Sequence, residues 1–144
     1  MSFSLDLSRA IENVKENRDK IVRGTLISVS NNIIKRTPVG NPAFWSPESL
    51  PAPKGYVGGS LRGAWQASKN RPDFTESGRI QSSGVGATGV EAASVANTVE
   101  VGETYYLTNP LPYARRVEMG WSRQAPQGML RVSVVEAQSV LDRQ

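Results

Sequence analysis

The chain has 144 residues, of which 38% are hydrophobic, and its 17 Lys and Arg against 13 Asp and Glu leave a net charge of +4. This composition favours one folded domain, residues 1–144, without a signal peptide or a run of the roughly 20 apolar residues that cross a bilayer. The absence of Cys and His excludes disulfides, thiolate and imidazole metal sites and the Ser-His-Asp triad. These absences argue against an enzyme and leave catalysis by paired carboxylates or by lysine as the alternative. We predict no catalytic residue, cofactor or metal, and synthesis in a cytoplasm.

The first predicted element is a long helix from about Leu5 to Lys35. Apolar residues recur along it at the three- and four-residue steps of one helical face. They are Leu7, Ala10, Ile11, Val14, Ile21, Val22, Leu26, Val29 and Ile33. Gly24 costs up to about 1 kcal/mol relative to alanine in mid-helix and indicates a bend or a close crossing. Thr37-Pro38 ends the helix, because proline disfavours the helical conformation of the residue before it.

The next stretch, Val39 to Ser60, is rich in Pro and Gly and has no steady period, which predicts a long loop. A loop of this length in a compact domain is usually functional or mobile. Three aromatic side chains within it, Phe44, Trp45 and Tyr56, are candidate contacts of an extended arm over residues 40–58. The alternative is that these rings pin the loop to its own domain.

Leu61–Ser68 is predicted as a strand and Val90–Glu100 as a short helix. Between them, "GVGATG" at Gly84–Gly89 matches the G-x-G-x-x-G pattern of dinucleotide-binding turns. The residues before it are polar, whereas that pattern requires a buried strand in a parallel βαβ unit. We therefore interpret it as a flexible glycine linker. Glu103–Asn109, with Thr, Tyr, Tyr and Leu, is predicted as a strand.

"LPYARRVEMGWSRQAPQGM", Leu111 to Met129, is the stretch most crowded with contact-forming side chains. Pro112 suits the first turn of a short helix that ends before Gly120. A last helix is predicted to start at Pro126. Its predicted common face consists of Leu130, Val134, Ala137 and Leu141. The alternation in "LRVSVV" leaves a strand open as an alternative. Together these elements predict an α+β fold: a long N-terminal helix, a small mostly antiparallel sheet and a C-terminal helix.

The residues of the crowded stretch suit a protein interface, because Tyr, Trp and Arg dominate binding hot spots. The candidate interface contains Tyr113, Arg115, Arg116, Glu118, Trp121 and Arg123. Arginines of this kind bind carboxylates of a neighbour in bidentate pairs. The alternative is a basic nucleic-acid-binding accessory protein, in which the same aromatic and basic side chains stack on bases and contact phosphates. The charge is uneven, since residues 1–72 hold eleven Lys and Arg against five acids and residues 73–144 hold six against eight.

Three stretches of the chain resemble a bacteriophage tail-component family, the small neck or tail-completion proteins at the head–tail junction of long-tailed phages. They are "RTPV" at residues 36–39, "GSLRGAW" at residues 59–65 and "NPLPYARRVEMGWSRQAPQGM" at residues 109–129. The third is the longest and most specific. The chain departs from the family pattern at Gly40–Gly58, which stands where the family joins the first two stretches directly. Arg62 and Trp65, in the second stretch, are added to the candidate interface.

The resemblance implies a structural protein of the virion without catalytic activity. It implies an oligomeric ring of identical subunits, commonly a hexamer, that joins a head connector or stopper protein to a tail terminator or tail tube protein. Genomic DNA would pass through the lumen of such a ring without sequence-specific binding, and no membrane contact is implied.

Overall fold

The computed structural model describes residues 3–44 and 51–143. In chain order the elements are α1 (Phe3–Arg36), a 3-10 turn (Pro42–Phe44), α2 (Ser60–Gly63), β1 (Gln66–Lys69), α3 (Gly86–Ala96), β2 (Tyr105–Thr108), α4 (Ala114–Glu118) and α5 (Leu130–Leu141). The α+β prediction is confirmed, with a long N-terminal helix, a two-stranded antiparallel sheet and a C-terminal helix. Within the described ranges, no helix is long and apolar enough to cross a membrane.

Helix α1 has 34 residues, about 50 Å of helix, and only its C-terminal half packs against α3 and α5. Ile33 and Ile34 are buried in the core. Between Leu7 and Val22 the helix leaves its large apolar side chains in solvent. They are Leu7, Ile11, Val14, Ile21 and Val22, each between 43% and 67% exposed. The predicted helix is confirmed, but its apolar stripe enters the core only in the second half, because α5 and α3 pack there.

Helix α1 ends at a buried threonine. The Thr37 N–H donates to the carbonyl oxygens of Ile33 at 3.0 Å and Ile34 at 3.2 Å. The Thr37 hydroxyl also donates to the Ile33 carbonyl, at 2.8 Å. The helix ends at Arg36, and the end predicted from the following proline is confirmed.

The two strands pair antiparallel, from Gln66 opposite Thr108 to Lys69 opposite Tyr105. The predicted strand at Glu103–Asn109 is therefore confirmed in its central four residues. Beyond the strand ends, Asn70 N–H donates to the Thr104 carbonyl at 2.7 Å and extends the pairing.

The predicted strand at Leu61–Ser68 is wrong in its first half, which forms the helical turn α2. Gly59 lies at φ 123°, a backbone conformation open to glycine, and its carbonyl accepts the Gly63 N–H at 2.9 Å. In a strand, Leu61 and Trp65 would lie on one face. Since they are four residues apart, they also share one face of a helical turn, and both are buried.

Helix α3 begins at Gly86, inside the glycine motif, and ends at Ala96, so the predicted helix Val90–Glu100 lies too far along the chain. The interpretation of Gly84–Gly89 as a flexible linker is wrong for its second half. Gly89 is needed for packing, because a Cβ there would lie 2.8 Å from the Val85 Cβ and 3.0 Å from an α1 side chain.

The predicted C-terminal helix is confirmed over Leu130–Leu141, and the alternative strand in that segment is wrong. Its predicted face is wrong in part, because Val134 is 54% exposed and Leu141 is 38% exposed. The side chain that faces inward is the polar Ser133, which is fully buried and accepts a hydrogen bond from the Arg36 guanidinium at 3.0 Å. The buried Ser133 hydroxyl has a hydrogen-bond partner, as buried polar groups usually do. Much of the apolar surface of α5 lies outside the core.

Candidate interaction surface

The crowded stretch at residues 109–129 is tied to the rest of the domain by its first residue. The side-chain amide of Asn109 donates to the Leu61 carbonyl at 2.8 Å, and its oxygen accepts the Leu111 N–H at 3.2 Å. The Ala114 N–H then donates to the Leu111 carbonyl at 3.1 Å and starts α4. The predicted short helix is confirmed, and its position is fixed relative to α2.

Glu118, the last residue of α4, holds the start of α5. Its carboxylate accepts hydrogen bonds from the N–H groups of Met129 at 2.7 Å, Leu130 at 2.8 Å and Arg131 at 3.1 Å. Burial alone would raise the pKa of Glu118, but these backbone donors and the Arg131 guanidinium outweigh it, so the pKa lies below its ordinary value. A carboxylate at a helix N-terminus satisfies N–H groups that have no partner within the helix. We term this arrangement the Glu118 clasp.

Two glycines with left-handed backbone close the loop of the clasp. Gly120 lies at φ 90° and Gly128 at φ 87°, a region that other residues rarely adopt. A Cβ at Gly128 would lie 2.5 Å from the Glu118 carbonyl oxygen, and one at Gly120 would lie 2.6 Å from the Pro126 carbonyl oxygen. The last helix therefore begins at Leu130 rather than at the predicted Pro126, because Gly128 does not continue a right-handed helix.

Four of the predicted interface side chains form what we term the basic aromatic patch. They are Tyr113, Arg116, Trp121 and Arg123, and all four are exposed. Trp121 is 76% exposed, and the Arg116 guanidinium carbon lies 5.5 Å from the centroid of its ring. Tyr113, Trp121 and Arg123 line one groove of about 370 Å³. Burial raises the pKa of Tyr113, and the nearby Tyr56 raises it further by a smaller amount.

Arg115 is also exposed but lines a different groove, beside Phe74, so the structure separates it from the basic aromatic patch. Within residues 3–44 and 51–143, no carboxylate forms an ion pair with Arg115, Arg116 or Arg123. These guanidinium groups are therefore open to a partner.

The other predicted interface residues belong to the framework of the fold, contrary to the prediction. The Arg62 guanidinium donates to the carbonyl oxygens of Thr37 and Lys35, both at 3.0 Å, and so caps the C-terminus of α1. Burial lowers the pKa of Arg62. Trp65 is 3% exposed and lies in the core. The carboxylate of Glu118 is occupied by the clasp, so it is no partner for the arginines of a neighbour.

The three stretches that carry the family resemblance meet in one hydrogen-bonded cluster around Thr37. The Trp65 indole N–H donates to the Thr37 hydroxyl at 2.7 Å and joins the second stretch to the first. The Gln124 side chain donates to the Val39 carbonyl at 3.1 Å and joins the third stretch to the first. Contacts within these stretches therefore help to hold the domain together, whereas the basic aromatic patch, Arg115 and Met119 face outward.

The two ends of the predicted arm lie against each other. The Tyr56 ring packs over Gly40, where a Cβ would collide with its hydroxyl, and a Cβ at Gly58 would lie 2.9 Å from the Gly40 carbonyl carbon. Tyr56 is 41% exposed. Trp45 and the side chain of Phe44 lie outside the described residues. Tyr56 thus supports the alternative in which an aromatic ring pins the loop to its own domain.

The exposed N-terminal part of α1 is a surface that the sequence does not reveal. Its apolar residues Leu7, Val14 and Ile21 recur on one helical face, whereas the charges of residues 8–20 lie mainly on the other sides of the helix. This pattern is also typical of a helix that packs against its own core, so it does not distinguish a covered face from an exposed one.

No protein-family model, curated protein or solved structure matches this chain. Within the residues described above, no group of three or more His, Cys, Asp or Glu side chains is placed to hold a metal ion. The two described strands are antiparallel, so the glycine motif does not lie in a parallel βαβ unit of the kind that binds dinucleotides.

Proposed function

We propose that the protein is a structural component of a phage head–tail junction. Identical subunits would form a closed ring that joins a head connector or stopper protein to the tail terminator or tail tube by protein–protein contacts. The ring would enclose passing DNA without reading its sequence, and it would be found in the virion. The proposal assigns no catalytic activity. It rests on the resemblance of the third stretch, Asn109–Met129, and on the surface of the isolated chain.

The observation that carries the proposal is the amount of surface that one chain leaves uncovered. The accessible surface is 9641 Å². A compact monomer of 15.6 kDa exposes roughly 7,300 Å². A stable protein contact covers about 800 Å² on each partner. The excess is therefore enough for contacts with neighbours on two sides, which is what a subunit of a ring requires.

The basic aromatic patch supports the proposal with a specific contact. Trp121 is the most exposed of the large apolar side chains that the structure describes, and the two arginines of the patch, Arg116 and Arg123, have no carboxylate partner among the described residues. Exposed Trp and Arg side chains bind strongly once a partner removes them from water. An acidic surface on an adjacent subunit or on a neighbouring ring fits this chemistry.

The test of the proposed function is to label the chain and image purified phage particles by electron microscopy. Label confined to the head–tail junction supports the neck assignment. Particles that assemble normally without label anywhere would contradict it.

Replacement of Arg115 and Arg116 together by alanine is expected to block particle assembly and leave the fold intact. Both side chains are exposed and no side-chain hydrogen bond within the described residues depends on them, so the free energy of unfolding should change by less than about 0.5 kcal/mol. Particle yield and infectivity are the measurements. Arg71→Ala/Arg143→Ala removes the same charge elsewhere and is the control. Normal infectivity of the Arg115/Arg116 variant would refute this interface.

The second candidate function is a basic nucleic-acid-binding accessory protein. The favouring observation is Arg116 stacked over the exposed Trp121, since aromatic rings with arginines bind single strands by stacking and phosphate contact. Affinity for single-stranded DNA would then fall steeply with salt concentration and with Trp121→Ala. Binding that is weak and indifferent to Trp121→Ala would remove this candidate.

A further inference from the structure

The exposed half of α1 has the residue pattern of a helix that packs on another helix. Leu7, Val14 and Ile21 are seven residues apart, and each is about half exposed or more. Ala10, Asn17 and Gly24 stand three positions after these residues, so the second series consists of small or polar side chains. An apolar series of period seven keeps one seam of a helix facing a partner helix.

A groove that fits such a helix opens where α1 enters the body of the domain. It lies between α1 and α5, has a volume of about 370 Å³, and its apolar lining includes Ile21, Val29, Ala137 and Val140. Val140 is 55% exposed. The groove and the seam therefore share Ile21 and form one continuous apolar surface.

Gly24 lines this groove, and nothing in the part of the chain that the structure describes requires a glycine there. A Cβ at Gly24 would meet no atom within 4 Å, and the residue has no positive φ. Glycine in mid-helix costs up to about 1 kcal/mol relative to alanine. The missing side chain makes sense if another backbone approaches α1 closely at this point.

We infer that residues 7–14 of α1 lie in the α1–α5 groove of a second copy of this chain, whose own α1 does the same to the next copy. This inference rests on the proposed function and supplies the subunit contact of its ring. Leu7, Ile11 and Val14 enter the neighbour's groove, and Gly24 of the neighbour lets the helix approach. The contact is heterologous, because the side chains of residues 7–14, which we term the knob, and the α1–α5 groove are different surfaces of one chain. Such contacts generate rings.

The charges of this segment favour a second copy over a nucleic acid. Residues 7–22 contain four basic side chains, Arg9, Lys15, Arg18 and Lys20, against three acids, Glu12, Glu16 and Asp19. The segment is close to neutral, so it has no basic track for phosphates. Acids and bases are interleaved along it, and two copies approach without strong repulsion. The surface that the isolated chain leaves uncovered, described above, is large enough for a contact on each side.

The test uses two variants of the full chain that damage opposite sides of the contact. Val14→Asp places a charge in the seam, and Gly24→Leu fills the groove. Gly24→Leu also removes the helix penalty of glycine, so its thermal stability should equal or exceed that of the unaltered chain. Arg9→Gln alters the charge by the same amount as Val14→Asp, on another side of the helix, and is the control.

Each variant alone is expected to be monomeric at concentrations where the unaltered chain and Arg9→Gln self-associate, a weakening of at least about tenfold. An equimolar mixture of the two variants retains one intact contact, from the knob of Gly24→Leu to the groove of Val14→Asp. The mixture should therefore form a dimer of one copy of each, measured by sedimentation or light scattering.

An unaltered chain that stays monomeric at its highest soluble concentration overturns the inference. So does a folded Val14→Asp or Gly24→Leu variant that self-associates normally. These outcomes do not decide whether the proposed function is correct. Label at the head–tail junction combined with normal assembly of both variants would leave the junction assignment standing and refute this contact alone. Dimers in the mixture, combined with particles that carry no label, would support this contact and contradict the junction assignment.

Discussion

Replacement of Glu118 by alanine is expected to lower the free energy of unfolding by about 2–4 kcal/mol at neutral pH. The side chain is 14% exposed, and its loss leaves the N–H groups of Met129, Leu130 and Arg131 without their carboxylate acceptor. It also removes a negative charge from the positive end of the α5 dipole. A domain of this size is stable by about 5–15 kcal/mol, so the loss should be plain in urea unfolding.

The contribution of the Glu118 charge should also depend on pH in a defined direction. The pKa of Glu118 is lower in the folded chain than its ordinary value, so the unfolded chain binds the proton more readily. The stabilisation is therefore fully present above the ordinary glutamate pKa of about 4.3 and is lost as the pH falls through the lower folded pKa. Glu118→Gln should lose part of this acid-dependent stability, whereas Glu76→Gln, at an exposed position, should retain it. Equal pH profiles for both variants would show that the clasp charge contributes nothing.

Replacement of Trp65 by alanine is expected to cost about 3–5 kcal/mol, the usual range for a large aromatic side chain in a core. Trp65 is 3% exposed and packs in a cluster with Ile34 and Met129. Trp121→Ala is a matched control, because the same residue type at 76% exposure should cost no more than about 0.5 kcal/mol. Thermal or urea unfolding measures both. Similar losses at the two positions would contradict the assignment of Trp65 to the framework and Trp121 to the surface.

The hydrogen bond from Trp65 to Thr37 can be tested separately. Thr37→Val keeps the shape of the side chain but leaves the buried indole N–H without its acceptor, which should cost about 1–3 kcal/mol. The double variant Trp65→Phe/Thr37→Val removes donor and acceptor together. Its loss should be smaller than the sum of the single losses, because no buried group is then unpaired.

Features set by local pattern could be predicted from the sequence. The three- and four-residue spacing from Leu7 to Ile33 predicted α1, and Thr37-Pro38 predicted its end. The β-branched and aromatic residues at Glu103–Asn109 predicted the second strand. Each of these depends on neighbours along the chain, where steric and hydrogen-bonding preferences act directly.

The assignment of side chains to framework or surface could not be predicted in the same way. Arg62, Trp65 and Glu118 are residue types that serve equally as interface contacts and as caps or core groups. Only the tertiary fold brings the Arg62 guanidinium to the carbonyls of α1, or the Glu118 carboxylate to backbone N–H groups that begin eleven positions later at Met129. One local signal exists, because a glycine directly after a predicted short helix is typical of a helix end in left-handed backbone, and Gly120 lies there at φ 90°.

The length of α1 beyond the body has a geometric consequence. Its C-terminal end is held by the Arg62 cap and by the Arg36–Ser133 hydrogen bond, so the helix pivots with the domain as a rigid lever. From Gly24 to Leu7 the lever measures about 25 Å. In the proposed ring, a change of about 5° in subunit orientation would move this tip by about 2 Å. Packed apolar side chains adjust little, so a contact at the tip of the lever would restrict the ring to a narrow range of circumferences without any change in the fold.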